Sequence, residues 1–208
     1  MNCITYPARP VNGGHLKHAL RKRGRWSFEP KYNGWRAIVH VPTSTMWNRH
    51  GEELTIAREF APALAILKRS AFEWLDVEAL ERRHNLGRGS LIVLDCPTLG
   101  HDVGPLLHIE QAIYARRIKA LYHEIVATDI GECLPQTLKP EENTIYIPPV
   151  YGEGELEDLW VQLQDVNKCL GCDFYEGVVA KRDDSLYPIQ LNSPDQSTPT
   201  WMKHRFIK

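Results

Sequence analysis

Apolar residues recur along the chain in two rhythms. Residues 72–80 alternate in period two and read as a strand, because successive side chains of a strand face opposite ways. Residues 26–30, 35–41, 45–48, 91–94, 143–150, 174–182 and 201–207 read as further strands. Turns such as Pro42-Thr43-Ser44 and Arg49-His50-Gly51 punctuate them. The second rhythm is helical. Within residues 155–170, Leu156, Leu159, Trp160, Leu163 and Val166 fall on one face. Residues 55–69 carry Ile56, Phe60, Leu64 and Leu67 in similar register, with Pro62 early in the helix or breaking it. Residues 109–124 and a short basic stretch at 15–23, closed by Gly24, complete the predicted helices. Residues 1–13, where Pro7 and Pro10 block a helix, and residues 125–130 are expected to be extended. Residues 98–107 and 183–199 are expected to be loops. Lys31 is placed in a short loop between two strands. No repeat, low-complexity tract or linker divides the chain. The pattern predicts an α+β architecture, antiparallel sheets flanked by helices, in a single domain over residues 1–208.

Composition changes this picture little. Of 208 residues, 43% are hydrophobic, enough for a substantial core. The formal net charge of −1 gives no global attraction to nucleic acid. Locally, Lys17, Arg21, Lys22, Arg23 and Arg25 have no acid among them, a segment that suits either a phosphate backbone or a solvated helix face. No apolar run approaches the length of a membrane span, and the N-terminus lacks a signal-peptide core. Five cysteines without regular spacing suggest reduced thiols and a cytoplasmic location. Cys169-Leu-Gly-Cys172 has no second ligand pair for zinc and is expected to mark a helix end, with Gly171 near the cap.

The candidate chemistry clusters around Glu29-Pro30-Lys31-Tyr32-Asn33-Gly34-Trp35-Arg36. This stretch sets one lysine beside a carboxylate, a glycine that permits close approach, and an arginine suited to phosphate or ribose oxygens. On its own it could also be a surface hairpin with ordinary charges. Asp76 and Glu78 share a strand face and suit a divalent cation or a sugar hydroxyl, or are solvated acids of an edge strand. Glu176 precedes an apolar strand in which Val179 and Lys181 share a face. Lys203 and Arg205 alternate near the end of the chain, and Arg49 sits before a turn. Together these lysines, arginines and acids suit a nucleoside triphosphate with Mg²⁺.

In this order the motifs resemble those of the covalent nucleotidyltransferases, a family of ATP-dependent DNA ligases, RNA ligases and mRNA capping enzymes. Lys31 to Arg36 resembles the family's K-x-D-G-x-R, with Asn33 for Asp. Asp76-Val77-Glu78 resembles D-G-E, and 91–95 resembles an apolar strand ending F-D, with Leu94 where an aromatic usually stacks on adenine. Glu176 to Lys181 matches E-G-x-V-x-K in full, and Trp201 to Arg205 resembles W-x-K-x-K. Glu29-Pro30-Lys31, Arg49-His50-Gly51 and Tyr114 to Leu121 are similar to the DNA ligase branch in particular. The resemblance implies the adenylation domain of a DNA ligase, related to the ATP-grasp type. The OB-fold domain that follows in relatives is not expected in these 208 residues. That would suit a minimal enzyme, an excised domain or a partner chain.

The resemblance also implies a chemistry. Lys31 would attack the α-phosphorus of ATP to form lysyl-AMP, pass AMP to a 5′-phosphate, and so allow a 3′-hydroxyl to seal a nick in DNA. A free lysine has a pKa of about 10.4, and Lys181, Lys203 and the metal are the cations expected to make the amine available. Arg36 and Glu78 would hold the ribose, Glu29 would accept from the adenine amino group, and Arg49 would serve the ribose or an incoming phosphate. Glu176, with Glu78, would hold Mg²⁺, or Mn²⁺ in its place. The implied partner is nicked duplex DNA, with RNA as the alternative. A separate clamp or OB-fold protein would assist a monomer that has no membrane role. A binding module that needs a partner domain is the remaining alternative.

Overall fold

The computed structural model describes residues 6–16, 23–80, 86–99, 113–134, 140–189 and 195–206. Among the described residues, ten strands form two sheets. The strands are β1 (Arg9–Asn12), β2 (Trp26–Tyr32), β3 (Trp35–His40), β4 (Thr45–Trp47), β5 (Phe72–Leu80), β6 (Ser90–Leu99), β7 (Glu132–Cys133), β8 (Ile145–Ile147), β9 (Tyr175–Arg182) and β10 (Ser197–Arg205). The α-helices are α1 (Ala61–Leu67), α2 (Tyr114–Ile125) and α3 (Leu156–Leu170). One sheet runs β1-β10-β9-β2, the other β4-β3-β5-β6-β8-β7. Most neighbours are antiparallel, as the alternation predicts, but β1/β10, β6/β8 and β7/β8 are parallel.

The strand expected at 72–80 forms with those bounds. Its odd positions Leu75, Val77 and Ala79 join Ala37 and Val39 of β3 in a core closed by Leu64 and Leu67 of α1 and by Leu121 and Ile125 of α2. The even positions Asp76 and Glu78 look the other way, with Arg36. In the four-stranded sheet, Phe28, Val178, Ala180 and Met202 pack with Leu156, Leu159 and Leu163 of α3 in a second core. Burying a Leu or Phe side chain contributes about 1.5–3 kcal/mol, so each sheet has one apolar face anchored by helices. The alternate residues, Glu29, Lys31, Val179, Lys181 and Lys203, are left on the opposite face.

Several expectations change. Residues 26–41 are not a hairpin: β2 is an edge strand of the four-stranded sheet, and β3 belongs to the six-stranded one. Lys31 lies within β2, not in a loop, and the chain crosses between the sheets at Asn33-Gly34. The edge position of β2 also explains how Pro30, which cannot donate to a ladder, is tolerated inside a strand. Residues 126–129 form a turn after α2 instead of an extended segment. The helix expected at 55–69 splits into a 3₁₀ segment, Thr55–Phe60, and α1, with Pro62 in the first turn of α1, where its missing N–H costs nothing. The strand expected at 91–94 extends to Leu99, and the last strand begins at Ser197. Gly171 caps α3 in the left-handed conformation as expected. Lys17, Arg21 and Lys22 lie outside the described residues. Arg23 and Arg25 are exposed, and Arg25 stands 3.8 Å from Asp183. Among the described residues no helix is long and apolar enough to cross a membrane.

Candidate functional site

Strand register assembles the polar face in rows. Ser27, Lys181 and Trp201 are neighbours across β2, β9 and β10; so are Glu29, Val179 and Lys203, and so are Lys31, Gly177 and Arg205. The i, i+2 spacing within Glu29 and Lys31, Val179 and Lys181, and Lys203 and Arg205 therefore puts these side chains on one face. Gly177, beside Lys31, has φ +139°, and a Cβ there would lie 2.0 Å from the His204 carbonyl oxygen. No other residue fits this position without moving β10. Opposite this face stands the polar face of the six-stranded sheet. Gly34, at the crossing, lets the two meet: its N–H donates to Glu78 Oε1 at 2.9 Å, and a Cβ would lie 2.9 Å from Glu78 Cγ.

A cavity of about 420 Å³ opens between the sheets. Every site residue expected from the sequence lines it: Glu29, Lys31, Arg36, Arg49, Glu78, Glu176, Lys181 and Lys203. Leu94 and Val179 supply apolar wall. Seven cationic side chains line it against three carboxylates.

The charges are paired in an order that the motifs alone do not reveal. Lys31 Nζ donates to Glu176 Oε2 at 2.5 Å, and Arg205 reaches the same oxygen at 3.3 Å. Lys181 is not beside Lys31 as a companion cation. It is buried, donates to the Glu29 carboxylate at 2.9–3.0 Å and to the Leu94 carbonyl at 2.9 Å, and lies 4.9 and 4.8 Å from the Tyr114 and Trp201 ring centres. The Tyr114 hydroxyl donates to Glu29 as well. Arg36 donates Nε and Nη2 to Asp76 at 2.8 and 2.5 Å, a two-point grip that fixes its plane. Asp76, fully buried, thus positions Arg36 instead of offering a site for a cation. Glu78 alone of that pair lines the cavity. Arg49, in the turn after β4, donates to His50 Nε2 at 3.0 Å and is exposed.

These placements shift several ionisations. Burial raises the Glu29 carboxyl above its ordinary value, although Lys181 and Tyr114 pull it down. Burial raises Glu78 to about 7, against the lowering effects of Lys31, the Gly34 N–H and Arg36. Burial lowers Lys203, and Arg205, Lys31 and Arg9 add to the effect. For Glu78 the sign is explicit. Its folded pKa lies above the unfolded value, so its contribution to stability is present below about pH 4.3 and is lost as pH rises through 7. The unliganded protein should therefore lose stability between about pH 4.5 and 7 relative to Glu78→Gln, as read from urea midpoints of the two proteins across that window. Parallel profiles would show that the Glu78 carboxyl titrates normally.

Sequence reasoning missed Tyr114 as part of the Glu29 cluster, Asp76 as the clamp on Arg36, and Arg9 on the cavity wall. It also missed the buried pair behind the cavity, in which Arg117 donates to both oxygens of Asp95 at 2.8 and 3.0 Å. Tyr114, Arg117 and Asp95 fall in stretches the resemblance singles out, but their pairings carry no local signal, because each partner lies on a distant element.

Among the described residues, no cluster of three or more His, Cys, Asp and Glu is ready to hold a metal. Mg²⁺ needs less: one or two carboxylates, with substrate phosphates and water completing its shell. Glu176 and Glu78 line one cavity, and the raised Glu78 shows a carboxylate whose neighbours do not fully offset its charge. Both carboxylates are hard oxygen donors on that wall, the ligand type such a cation takes.

No family sequence model and no curated protein sequence matches the chain. Solved structures do. The ligase domain of LigD from M. tuberculosis superposes with a TM-score of 0.59 at 21% identity, over 97% of this chain and 59% of that one. Mycobacterial DNA ligase D complexed with ATP and MES gives 0.59 at 22%, over 97% and 60%. Chlorella virus DNA ligase-adenylate gives 0.56 at 15%, over 96% and 69%. The fold is that of a DNA ligase nucleotidyltransferase domain. The chain spans about three-fifths of the length of the two mycobacterial ligase structures.

Proposed function

We propose that this chain is the catalytic core of an ATP-dependent polynucleotide ligase acting on nicked DNA. The observation that carries the reading is Lys31. It lies on a strand in a cavity between two sheets, 2.5 Å from Glu176, and the wall holds more cations than carboxylates. A polyanion suits that excess, and Glu176 is within hydrogen-bond reach to take the proton that Lys31 must lose before it can attack.

In this reading the base enters between Leu94 and Val179. Glu29, whose oxygens Lys181 and Tyr114 orient, accepts from the adenine amino group. Arg36, fixed by Asp76, and Glu78 hold the ribose. Lys203 and Arg205 face the phosphates, and Arg49 at the rim meets the ribose or an incoming 5′-phosphate. Lys31 Nζ attacks the α-phosphorus. A nitrogen–phosphorus bond forms, the bond to the β-phosphate oxygen breaks, and pyrophosphate leaves with the electron pair. Glu176 is the acceptor within reach for the proton that Lys31 must lose. AMP then passes to a 5′-phosphate, and a 3′-hydroxyl displaces it. Glu176 and Glu78 would hold Mg²⁺ or Mn²⁺, which when bound withdraws charge from phosphate oxygens.

The test is incubation with α-labelled ATP and Mg²⁺ followed by a denaturing gel. Label should stay on the protein and pass to nicked DNA that bears a 5′-phosphate. Labelled GTP should leave the protein blank, because guanine presents no amino group where Glu29 accepts. Absence of label with both nucleotides rejects the reading. Transfer to nicked RNA in preference to DNA would move the substrate class.

A further inference from the structure

Arg9 belongs to none of the motifs, yet its side chain lines the cavity. It comes from β1, which runs parallel to β10 on the far side of that strand from β9. Asn12 of the same strand pairs in register with Lys203. One guanidinium nitrogen, Nη1, is held by Asp195 at 3.0 Å. The other, Nη2, is buried and has no hydrogen-bond partner. A buried donor left unmade is costly, and a charged one more so. Four of the six other cavity cations pair with less exposed carboxylates: Lys31 and Arg205 share Glu176, Lys181 has Glu29, and Arg36 has Asp76. The partner of Arg9 is 77% exposed, so water screens that pair. The positive charge of Arg9 is felt at Lys203, alongside those of Arg205 and Lys31. Arg9 thus stands with the phosphate-facing cations, while the base-facing end is occupied by Glu29, Lys181 and Tyr114.

We infer that Arg9 is an additional phosphate-binding residue of the cavity, its free Nη2 donating to the β- or γ-phosphate of the bound nucleoside triphosphate. The inference rests on the ligase reading and deepens it. The Asp195 contact holds one end of the guanidinium, and the unmet donor is satisfied only when the polyphosphate is present. During adenylation the same contact offsets charge that builds on the departing pyrophosphate.

The experiment compares wild type with Arg9→Gln for binding of AMP and of α,β-methylene-ATP, an analogue that carries the phosphate tail but cannot transfer AMP. The variant should bind the analogue about ten- to a hundredfold more weakly, the range for one charge-assisted hydrogen bond, and bind AMP as wild type does. Pyrophosphate should also be needed at correspondingly higher concentration to discharge the adenylated variant. Equal loss for AMP and the analogue would overturn the inference, because Arg9 would then serve the pocket shape or the α-phosphate. Unchanged binding of both, with slow transfer of AMP to nicked DNA, would also overturn it and assign the anion to the 5′-phosphate of the nucleic acid. If wild type binds neither nucleotide, the ligase reading itself fails, a result distinct from any effect of the variant.

Discussion

Lys31→Ala should abolish covalent labelling by α-labelled ATP, to at least about 10³-fold below wild type, because no other amine takes its place at the α-phosphorus. Lys181 is committed to Glu29 and the Leu94 carbonyl, and Lys203 sits one row away on β10. The fold should survive the change. Removing Lys31 does not strand Glu176 as a lone charge, since Arg205 still reaches the same oxygen. The loss should therefore be one of chemistry. The variant should keep the wild-type unfolding midpoint and still bind α,β-methylene-ATP. Mass spectrometry of the labelled wild type should find the AMP on the peptide that contains Lys31. Label that persists in the alanine variant would place the nucleophile elsewhere and remove the basis of the proposed mechanism.

The second large effect concerns stability. Arg117→Met should destabilise the protein by about 3–5 kcal/mol, the cost of stranding a buried charge. Arg117 and Asp95 are both completely buried. Burial alone would raise the Asp95 carboxyl, but the guanidinium beside it outweighs that and holds it below its ordinary value. Arg117 also donates to the Ser185 carbonyl at 3.1 Å and lies 5.8 and 5.6 Å from the Tyr114 and Tyr187 ring centres. Without it, Asp95 still accepts from the Cys96 N–H at 2.9 Å. For a chain of this size the loss corresponds to a fall in Tm of roughly 6–20 °C. The double change Arg117→Met with Asp95→Leu should recover much of it, because removing both partners leaves no unpaired charge. A single variant that melts within 2 °C of wild type would show that water reaches Asp95.

Much of the candidate site was legible because its motifs are short and strand-borne. The alternation that sends Phe28, Val178 and Ala180 into a core also sends Glu29, Lys31, Val179 and Lys181 to the other face. Reading the strands was therefore nearly the same as reading the site. Periodicity says which way a side chain faces; it does not say which strand lies alongside. The placement of β2 and β3 in separate sheets was invisible for that reason, as were the Asp76 clamp on Arg36, 40 positions away, and the Tyr114 hydroxyl on Glu29, 85 positions away. The apolar pattern around residues 125–130 suggests extension. Instead α2 ends there, and its last buried residue, Ile125, is followed by a turn in which Asp129 has a positive φ.

The crossing at Asn33-Gly34 bears on how the chain folds. The six-stranded sheet contains the consecutive pair β5 and β6, whose closure spans few residues. The four-stranded sheet joins strands from opposite ends of the chain, and the Lys31–Glu176 contact links residues 145 positions apart. Closing a flexible loop of that length costs about 4 kcal/mol in chain entropy beyond a constant. Contacts of high sequence separation are also the slow ones to form. Lys31 and Glu176 therefore form a long-range contact, brought together only when β2 pairs with β9. A nascent chain with residues 26–99 already emerged holds β2 to β6 and Lys31, but not β9 and its Glu176. The Lys31–Glu176 pair cannot exist before β9 has been made.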